Sequence, residues 1–222
     1  MAVKDSPNGA ASGKAFPIVG IGASAGGLEA LQRFLAVLPR EFGFALVFIQ
    51  HLSAKYKSIL AELLSAKRPS LVIQEISSGL KVEPGRLYLS PPGREVRLRN
   101  GHFQTTVHPE GLIHLPIDEF LASLAEDAFE RAIAVIFSGA GTDGARGCRT
   151  IRNDGGTVFV QDPATAEFSS MPLAAIATGQ ADAVLSPEDI CRELLKIQGI
   201  GVAAVSREPV ISPEEYDAFF RL

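Results

Sequence analysis

The chain has 222 residues, of which 46% are hydrophobic, and carries a formal net charge of -4 at pH 7. This length and apolar content suffice for one α/β domain with its own core. The acidic balance, without clusters of lysine and arginine among aromatic residues, excludes nucleic acid as an expected partner. The two cysteines, Cys148 and Cys191, lie far apart and outside any CxxC pair, so we expect neither a disulfide framework nor a metal site.

Targeting and membrane signals are missing from the sequence as well. The first residues contain no apolar segment typical of a signal peptide. No later apolar run approaches the length of about 18 residues that a membrane span requires. We therefore expect a soluble cytoplasmic protein without membrane insertion.

The first part of the predicted fold is a strand, a helix and a second strand. Residues 16–22 and 44–50 are short apolar runs of the kind that form buried parallel strands. Between them, leucine and phenylalanine recur at helical spacing over residues 26–38 and stop before a proline. A second helix over 55–67 and a strand over 71–76 are predicted to follow.

The middle of the chain has a different pattern. Residues 86–89 read as a strand between two turns rich in proline and glycine. Residues 95–99 and 102–107 then alternate in polarity on either side of Asn100-Gly101, which is the strongest short signal of a β-hairpin. We expect this region to form an antiparallel insert or a sheet edge.

The alternation of predicted helices and buried parallel strands resumes at residue 116. Helices are predicted near 117–129, 145–153 and 188–197 and after Pro172, and strands over 132–137, 156–160 and 183–185. The predicted fold class is α/β, with a doubly wound, mostly parallel sheet and an antiparallel β-hairpin insert.

A serine stands where the first predicted strand passes into a helix. Gly22-Ala23-Ser24-Ala25-Gly26 follows the pattern G-x-S-x-G, in which small neighbours permit a sharp turn that exposes the serine hydroxyl. The helix dipole and free amides at such a turn favour a developing oxyanion, so Ser24 is a candidate nucleophile. The plainer interpretation is that Ser24 only caps the helix and that the glycines only pack strand against helix.

The same turn also fits the relaxed dinucleotide fingerprint G-x-G-x-x-A, from Gly20 to Ala25. A nicotinamide site would place an acid at the end of the second strand, where it would hold the ribose hydroxyls. The chain has Gln50 and His51 there, and the nearest acid, Glu41, precedes the strand. A hydrolase is therefore favoured over a dinucleotide-binding module, which stays open as an alternative.

A histidine and an aspartate follow two other predicted strands. His51 comes directly after the second strand, and Asp143 lies in a glycine-rich loop after a later one. Because the carboxyl ends of parallel strands share one sheet edge, a nucleophile, its base and an orienting acid can meet there. Asp143 alone is equally well explained as the cap of the helix that follows it. His102, His108 and His114 lie in or after the hairpin, where surface roles are expected.

Four motifs, in this order, resemble the catalytic domain of the chemotaxis protein-glutamate methylesterases, the CheB family. They are PIVGIGASAGGLEAL, VFIQHL, SGAGTDGARG and QDPATAEFSSMPLAAI, within residues 16–197. The resemblance implies a serine hydrolase that removes methyl esters from glutamate side chains on the cytoplasmic helices of chemoreceptors, and that often deamidates receptor glutamines. By motif position, the nucleophile falls on Ser24, the general base on His51 and the orienting acid on Asp143.

Two positions depart from the pattern of the stand-alone enzymes. Ala25 stands where threonine is frequent, and Ala140 stands where methionine is frequent. If both residues act through the backbone amides of an oxyanion hole, alanine preserves that role. We find no receiver domain before this domain in the sequence, so control by phosphorylation within this chain is not expected. Together with the sequence ASAGGLEAL, this resembles the methylesterase portion of proteins that fuse a methylesterase with a methyltransferase.

The resemblance also gives the expected domains and partners. We expect a disordered leader over 1–15, the methylesterase domain over 16–198, and a linker with the start of a following domain over 199–222. The partners would be methylated chemoreceptor helices or other signalling proteins, and no metal or organic cofactor is expected. The loop at 161–171 could line the cleft, and it is equally well explained as a surface loop without a catalytic part. Arg146 and Arg149 could attract acidic receptor segments, although arginines on the outer face of a helix are usually only solvated. A further alternative keeps the fold as a catalytically silent sensory or docking domain.

Overall fold

The structure is a computed structural model that describes residues 15–50, 64–65, 68–108 and 114–197. Several predicted features lie outside these residues: the leader up to residue 14, His51, the helix over 55–67 apart from residues 64–65, and the segment 199–222. Within the described residues, no helix is both long enough and apolar enough to cross a membrane.

Strands and helices alternate over most of the described chain. The strands are β1 (Ile18–Ala23), β2 (Ala45–Gln50), β3 (Val72–Glu75), β4 (Arg86–Leu89), β5 (Arg94–Arg99), β6 (His102–Val107), β7 (Ala132–Ile136), β8 (Thr157–Gln161) and β9 (Ala183–Leu185). The helices are α1 (Gly27–Ala36), α2 (Pro116–Ala128), α3 (Ala145–Asn153), α4 (Ser170–Ile176) and α5 (Pro187–Ile197).

Seven of these strands form one sheet in the order β3-β4-β2-β1-β7-β8-β9. All its neighbouring strands are parallel, and β5 and β6 form a separate antiparallel hairpin, so the predicted α/β class with a hairpin insert is confirmed. Helices cover both faces, as expected for a parallel sheet. The core on one face includes side chains of α1 and α5, and the core on the other includes side chains of α2, α3 and the hairpin.

Strand β4 lies in a different place from the one that the sequence pattern suggested. It pairs in parallel with β2 on one side and β3 on the other, inside the main sheet. Leu87, Tyr88 and Leu89 are all buried, because side chains on both faces of an internal parallel strand are covered. The antiparallel pairing in this part of the chain is therefore confined to the hairpin.

Helix α4 begins earlier than predicted. The expected start was after Pro172, but the helix runs from Ser170 and includes that proline in its first turn. Proline is tolerated there because the first N–H groups of a helix have no partner within the helix.

Candidate active site

The candidate site lies at the switch point of the sheet. From β1 the chain moves to β2 on one side, and β7 pairs with β1 on the other. The carboxyl ends of β1, β2 and β7 therefore share one edge of the sheet, which is where open α/β sheets bind ligands.

Ser24 occupies the turn between β1 and α1, and its backbone is tied to both neighbouring strands. Its N–H donates to the carbonyl oxygen of Ser138, just beyond β7, at 3.1 Å. Its carbonyl oxygen accepts from the Gly27 N–H at 3.0 Å and from Nε2 of Gln50, the last residue of β2, at 3.1 Å. These bonds fix the serine between the ends of β2 and β7.

The interpretation of Ser24 as a simple helix cap is wrong. The N-cap of α1 is Gly26, with φ of 72°, so Ser24 lies two residues before the capping position, and Gly26 has no side chain with which to cap. A methyl group added at Gly26 would lie 2.6 Å from Ser138 Oγ and 2.7 Å from Glu167 Oε2. Gly26 is required both by its left-handed backbone and by the close approach of these neighbours.

The glycines of the dinucleotide fingerprint have a packing role. A methyl group at Gly20 would lie 2.8 Å from Leu121 Cδ2, and one at Gly22 would overlap Cγ2 of Ile117. Both neighbours belong to α2, so the glycines let this helix lie close against β1. This close packing explains the G-x-G spacing without a bound pyrophosphate.

Ser138 joins the serine turn to the loop between β8 and α4. This buried residue donates from its N–H to Gln161 Oε1 at 2.8 Å and from Oγ to the Ala25 carbonyl oxygen at 2.9 Å. Its Oγ also accepts from the Phe168 N–H at 2.9 Å. The predicted loop at 161–171 is therefore anchored beside the serine turn.

Gly139 brings the loop after β7 against the serine itself. Its N–H donates to the Phe168 carbonyl oxygen at 3.0 Å, and its carbonyl oxygen accepts from the Met171 N–H at 3.0 Å. A methyl group at this position would lie 3.0 Å from Ser24 Cβ and would overlap the Met171 sulfur. A side chain at this position would therefore have to displace Met171 and would press on Ser24.

Asp143 is buried, with 4% of its surface exposed. Its Oδ2 accepts from the Ile117 N–H at 3.0 Å, and its Oδ1 accepts from the Asp118 N–H at 2.9 Å. Asp143 therefore caps α2, and the prediction that it caps the helix that follows it, α3, is wrong.

The amides at the start of α3 are instead bound by Asp118, a residue that the sequence analysis missed. Its Oδ1 accepts from the Gly144 N–H at 3.0 Å and from the Gly147 N–H at 2.7 Å. Burial raises the pKa of Asp118, and the charge of Asp143 raises it further, whereas the Gly147 amide and Arg146 act in the opposite direction. The local sequence marks Asp118 only as an acid in the first turn of its own helix, just after a proline, and gives no sign of its bonds to α3.

The two arginines near the site are exposed. Arg146 has 69% of its side chain exposed and places Nε 3.6 Å from Asp118 Oδ2. Arg149 is exposed on the same helix. Arg146 thus reaches a buried carboxylate from an exposed position.

The oxyanion-hole candidates, Ala25 and Ala140, are both exposed at this edge of the sheet. Within the described part of the chain, neither amide donates a hydrogen bond to another group. The Ala25 amide lies just before α1, and an exposed amide at a helix N-terminus is suited to stabilise a developing negative charge.

The described histidines differ in their surroundings, and His51 is outside the described residues. His102 is exposed, as expected. His108 is better buried: Nδ1 lies 2.8 Å from Glu95 Oε1, and its ring stacks on His114 with centroids 4.1 Å apart. The hydrogen bond with His108 lowers the pKa of Glu95. Among the described residues, no group of three or more His, Cys, Asp or Glu side chains is placed to hold a metal ion.

These features define a doubly wound α/β domain with a serine turn and a buried carboxylate at the switch point of its sheet. The chain belongs to the CheB methylesterase family, whose model matches residues 19–194. The crystal structure of the Thermotoga maritima CheB methylesterase catalytic domain superposes with a TM-score of 0.74 at 31% identity, covering 82% of this chain and 98% of that one.

Curated relatives carry the name protein-glutamate methylesterase/protein-glutamine glutaminase. One from Pseudomonas syringae pv. syringae is 35% identical over 192 residues, covering 85% of this chain and 49% of its own length. One from Geobacter sulfurreducens is 34% identical over 200 residues, covering 87% of this chain and 55% of its own length. The chain thus spans about half the length of the curated relatives it matches.

Proposed function

We propose that this protein is a serine hydrolase that removes methyl esters from glutamate side chains of chemoreceptors and deamidates receptor glutamines. The observation that carries the proposal is the serine turn, which is bound to Ser138 and Gln50 at the switch point of a sheet with the fold of the CheB catalytic domain. The names of the relatives supply the substrate class. Chemoreceptor helices that carry such esters are cytoplasmic, so the enzyme would act in the cytoplasm.

The proposed reaction is acyl transfer through Ser24, His51 and Asp143. His51 takes the proton of Ser24 Oγ as this oxygen attacks the ester carbonyl carbon, and the protonated histidine then gives a proton to the departing methanol. Water attacks the acyl-enzyme with His51 again as base, which releases the glutamate carboxylate. Asp143 holds the histidine in its reactive tautomer and stabilises the imidazolium.

The backbone amides of Ala25 and Ala140 are the proposed donors to the oxyanion. Their exposure at the site edge, and the lack of a described acceptor for either amide, support this role. A main-chain amide serves equally well from alanine, so the loss of threonine and methionine at these positions leaves it intact. Acyl transfer of this kind requires neither a metal nor an organic cofactor.

Ser24→Ala is the direct test. We expect methanol release from methylated receptor membranes to fall by about 10⁴- to 10⁶-fold, because removal of a nucleophile disables the whole triad. The matched control is Ser78→Ala, which removes an exposed serine hydroxyl at the hairpin and should leave the rate unchanged. Equal rates for wild type and Ser24→Ala would end this proposal.

Labelling with a fluorophosphonate distinguishes an active esterase from a catalytically silent docking domain of the same fold. Only a serine activated by its histidine reacts quickly with this reagent. We expect rapid labelling of Ser24 in the wild type and slow labelling in His51→Ala. Slow labelling of both would favour the silent domain.

A further inference from the structure

Two buried carboxylates connect α2 and α3 in opposite directions. Asp143, in the loop just before α3, binds the amides of Ile117 and Asp118 in α2. Asp118 in turn binds the amides of Gly144 and Gly147 at the start of α3. The amides at the start of α2 are therefore bound by an acid from the segment that leads into α3, and those at the start of α3 by an acid from α2.

This reciprocal arrangement goes beyond ordinary capping, because each acid also binds the backbone next to the other acid. Asp143 accepts the N–H of Asp118 itself, and Asp118 accepts the N–H of Gly144, the residue after Asp143. Gly144 has φ of 95°, and a methyl group there would lie 2.7 Å from Ile136 Cδ1. The backbone at this turn thus has a conformation that few residues adopt and that the bond from Asp118 holds in place.

We propose that Asp118 is a positioning residue for the triad, which holds the turn at Gly144 so that the carboxylate of Asp143 keeps a single orientation. The proposal rests on the function proposed above, in which Asp143 orients the catalytic histidine. Asp118 does not touch the substrate in this scheme and acts only through Asp143.

The contacts of Asp118 show which interactions a substitution to asparagine would keep and which it would remove. The titratable and charged groups that act on it or respond to it are Asp143 from the loop after β7 and Arg146 and Cys148 from α3. One oxygen, Oδ1, accepts both amides, and Oδ2 is the atom nearest Arg146. An asparagine can therefore keep both hydrogen bonds through its carbonyl oxygen and lose only the negative charge.

The experiment compares Asp118→Ala and Asp118→Asn in methanol release and in fluorophosphonate labelling of Ser24. We expect Asp118→Ala to lower kcat by about 10²-fold with little change in KM, because small displacements of catalytic groups cost about this much. Asp118→Asn should restore most of kcat. Its acid limb in the pH–rate profile should move to lower pH, since one negative charge beside Asp143, the proposed partner of the imidazolium, is gone.

A double-mutant cycle shows whether Asp118 acts through Asp143. In an Asp143→Ala background, Asp118→Ala should cause no further loss of kcat, because the orientation it maintains no longer exists. The matched control is Asp127→Ala, which removes a carboxylate bound to the Gly101 amide at the other end of α2. It should lower the melting temperature and leave kcat unchanged.

The outcomes are distinct. A folded Asp118→Ala with the kcat of the wild type, or an equal kcat loss in both backgrounds, overturns the positioning role. If Asp118→Ala does not fold, Asp118→Asn decides, and an acid limb that coincides with the wild type overturns the role. Ser24→Ala accompanies every measurement: if its activity equals that of the wild type, the proposed function has failed instead.

Discussion

At Gly139 the backbone of the loop after β7 comes closest to Ser24. We expect Gly139→Ala to lower kcat by about 10²-fold, because the new methyl group would press on Ser24 Cβ and on the Met171 sulfur. The free energy of unfolding should also fall, by about 1 to 3 kcal/mol, as for other overpacked sites. Fluorophosphonate labelling and urea unfolding measure the two effects.

Gly79→Ala is the control for the stability loss in Gly139→Ala. Gly79 has φ of 83° and open space around the added methyl group, so alanine there should cost stability without touching the site. If Gly139→Ala loses stability but labels at the wild-type rate, the contact with Ser24 is unimportant for catalysis.

Asp143→Asn should affect stability as well as turnover. Each carboxylate oxygen accepts a backbone N–H from α2, and an asparagine must oppose one of these donors with its own NH₂ group. We expect a loss of about 1 to 3 kcal/mol in the free energy of unfolding. Turnover should fall by about 10⁴-fold and stay above background.

Urea unfolding and methanol release test Asp143→Asn together. A variant that is destabilised but turns over normally would assign Asp143 to helix capping alone and remove it from the triad. A variant that is inactive with full stability would contradict the two observed hydrogen bonds.

Of the site residues, the sequence predicted those that depend on local pattern. The turn at Ser24 and the loop with Asp143 both follow apolar strands, and their glycines mark the tight backbone. Ser138, Gln161 and Asp118 were missed because their importance lies in bonds to distant segments, such as the bond between Gln161 and the Ser138 amide. Nothing in their local sequence encodes these partners.

At the scale of elements, an ion pair connects α1 to α5. Arg33 donates from Nε and Nη2 to the two carboxylate oxygens of Glu188 at 2.8 and 3.0 Å, and from Nη1 to the Thr165 carbonyl oxygen at 3.3 Å. Burial raises the pKa of Glu188, but the hydrogen bonds and charge of Arg33, together with hydrogen bonds from the Glu188 amide and Ser186, outweigh this effect, and the net pKa is lowered.

Glu188→Gln should therefore destabilise the domain in a pH-dependent way. A carboxyl whose folded-state pKa is lowered contributes stability above its ordinary pKa and loses it as the pH falls through the folded value. We expect a deficit of about 1 kcal/mol or less near neutral pH, which disappears in acid. Urea midpoints of wild type and variant, measured from neutral to acid pH, give this deficit. The control is Glu193→Gln, which removes an exposed ion pair on the same helix and should leave the midpoint unchanged.

The order of helices and strands in the described residues was largely predictable, because apolar runs and helical spacing are local signals. The predicted strand at 183–185 and the helix at 145–153 match β9 and α3 at both ends. The place of β4 within the sheet was not predictable, since short strands between two turns have the same local pattern at an edge and in the interior.

At the scale of the whole molecule, each of the two cores contains one cysteine, whose reactivity can show when that core opens. Cys191 belongs to the core with α1 and α5, and Cys148 to the core with α2 and α3. Burial raises the pKa of each thiol to about 12, so both should resist alkylation in the folded protein. Two variants, each with one of the two cysteines replaced, allow each thiol to be followed separately. We expect the remaining thiol of either variant to become reactive at the urea midpoint of global unfolding, because the two cores pack on opposite faces of one sheet. A thiol that reacts at lower urea would show that its face opens alone.

Strand order divides the sheet into two halves, each made from one continuous stretch of chain. Strands β1 to β4 precede the hairpin, β7 to β9 follow α2, and the pairing of β1 with β7 is the seam between the halves. Closing such a long loop costs chain entropy before its contacts form, so distant pairings of this kind form slowly. Ser24 belongs to the first half and Asp143 to the second. During synthesis, the first half therefore leaves the ribosome before Ser138 and Asp143 are made, and the bond that ties Ser24 to the end of β7 forms only when the second half docks.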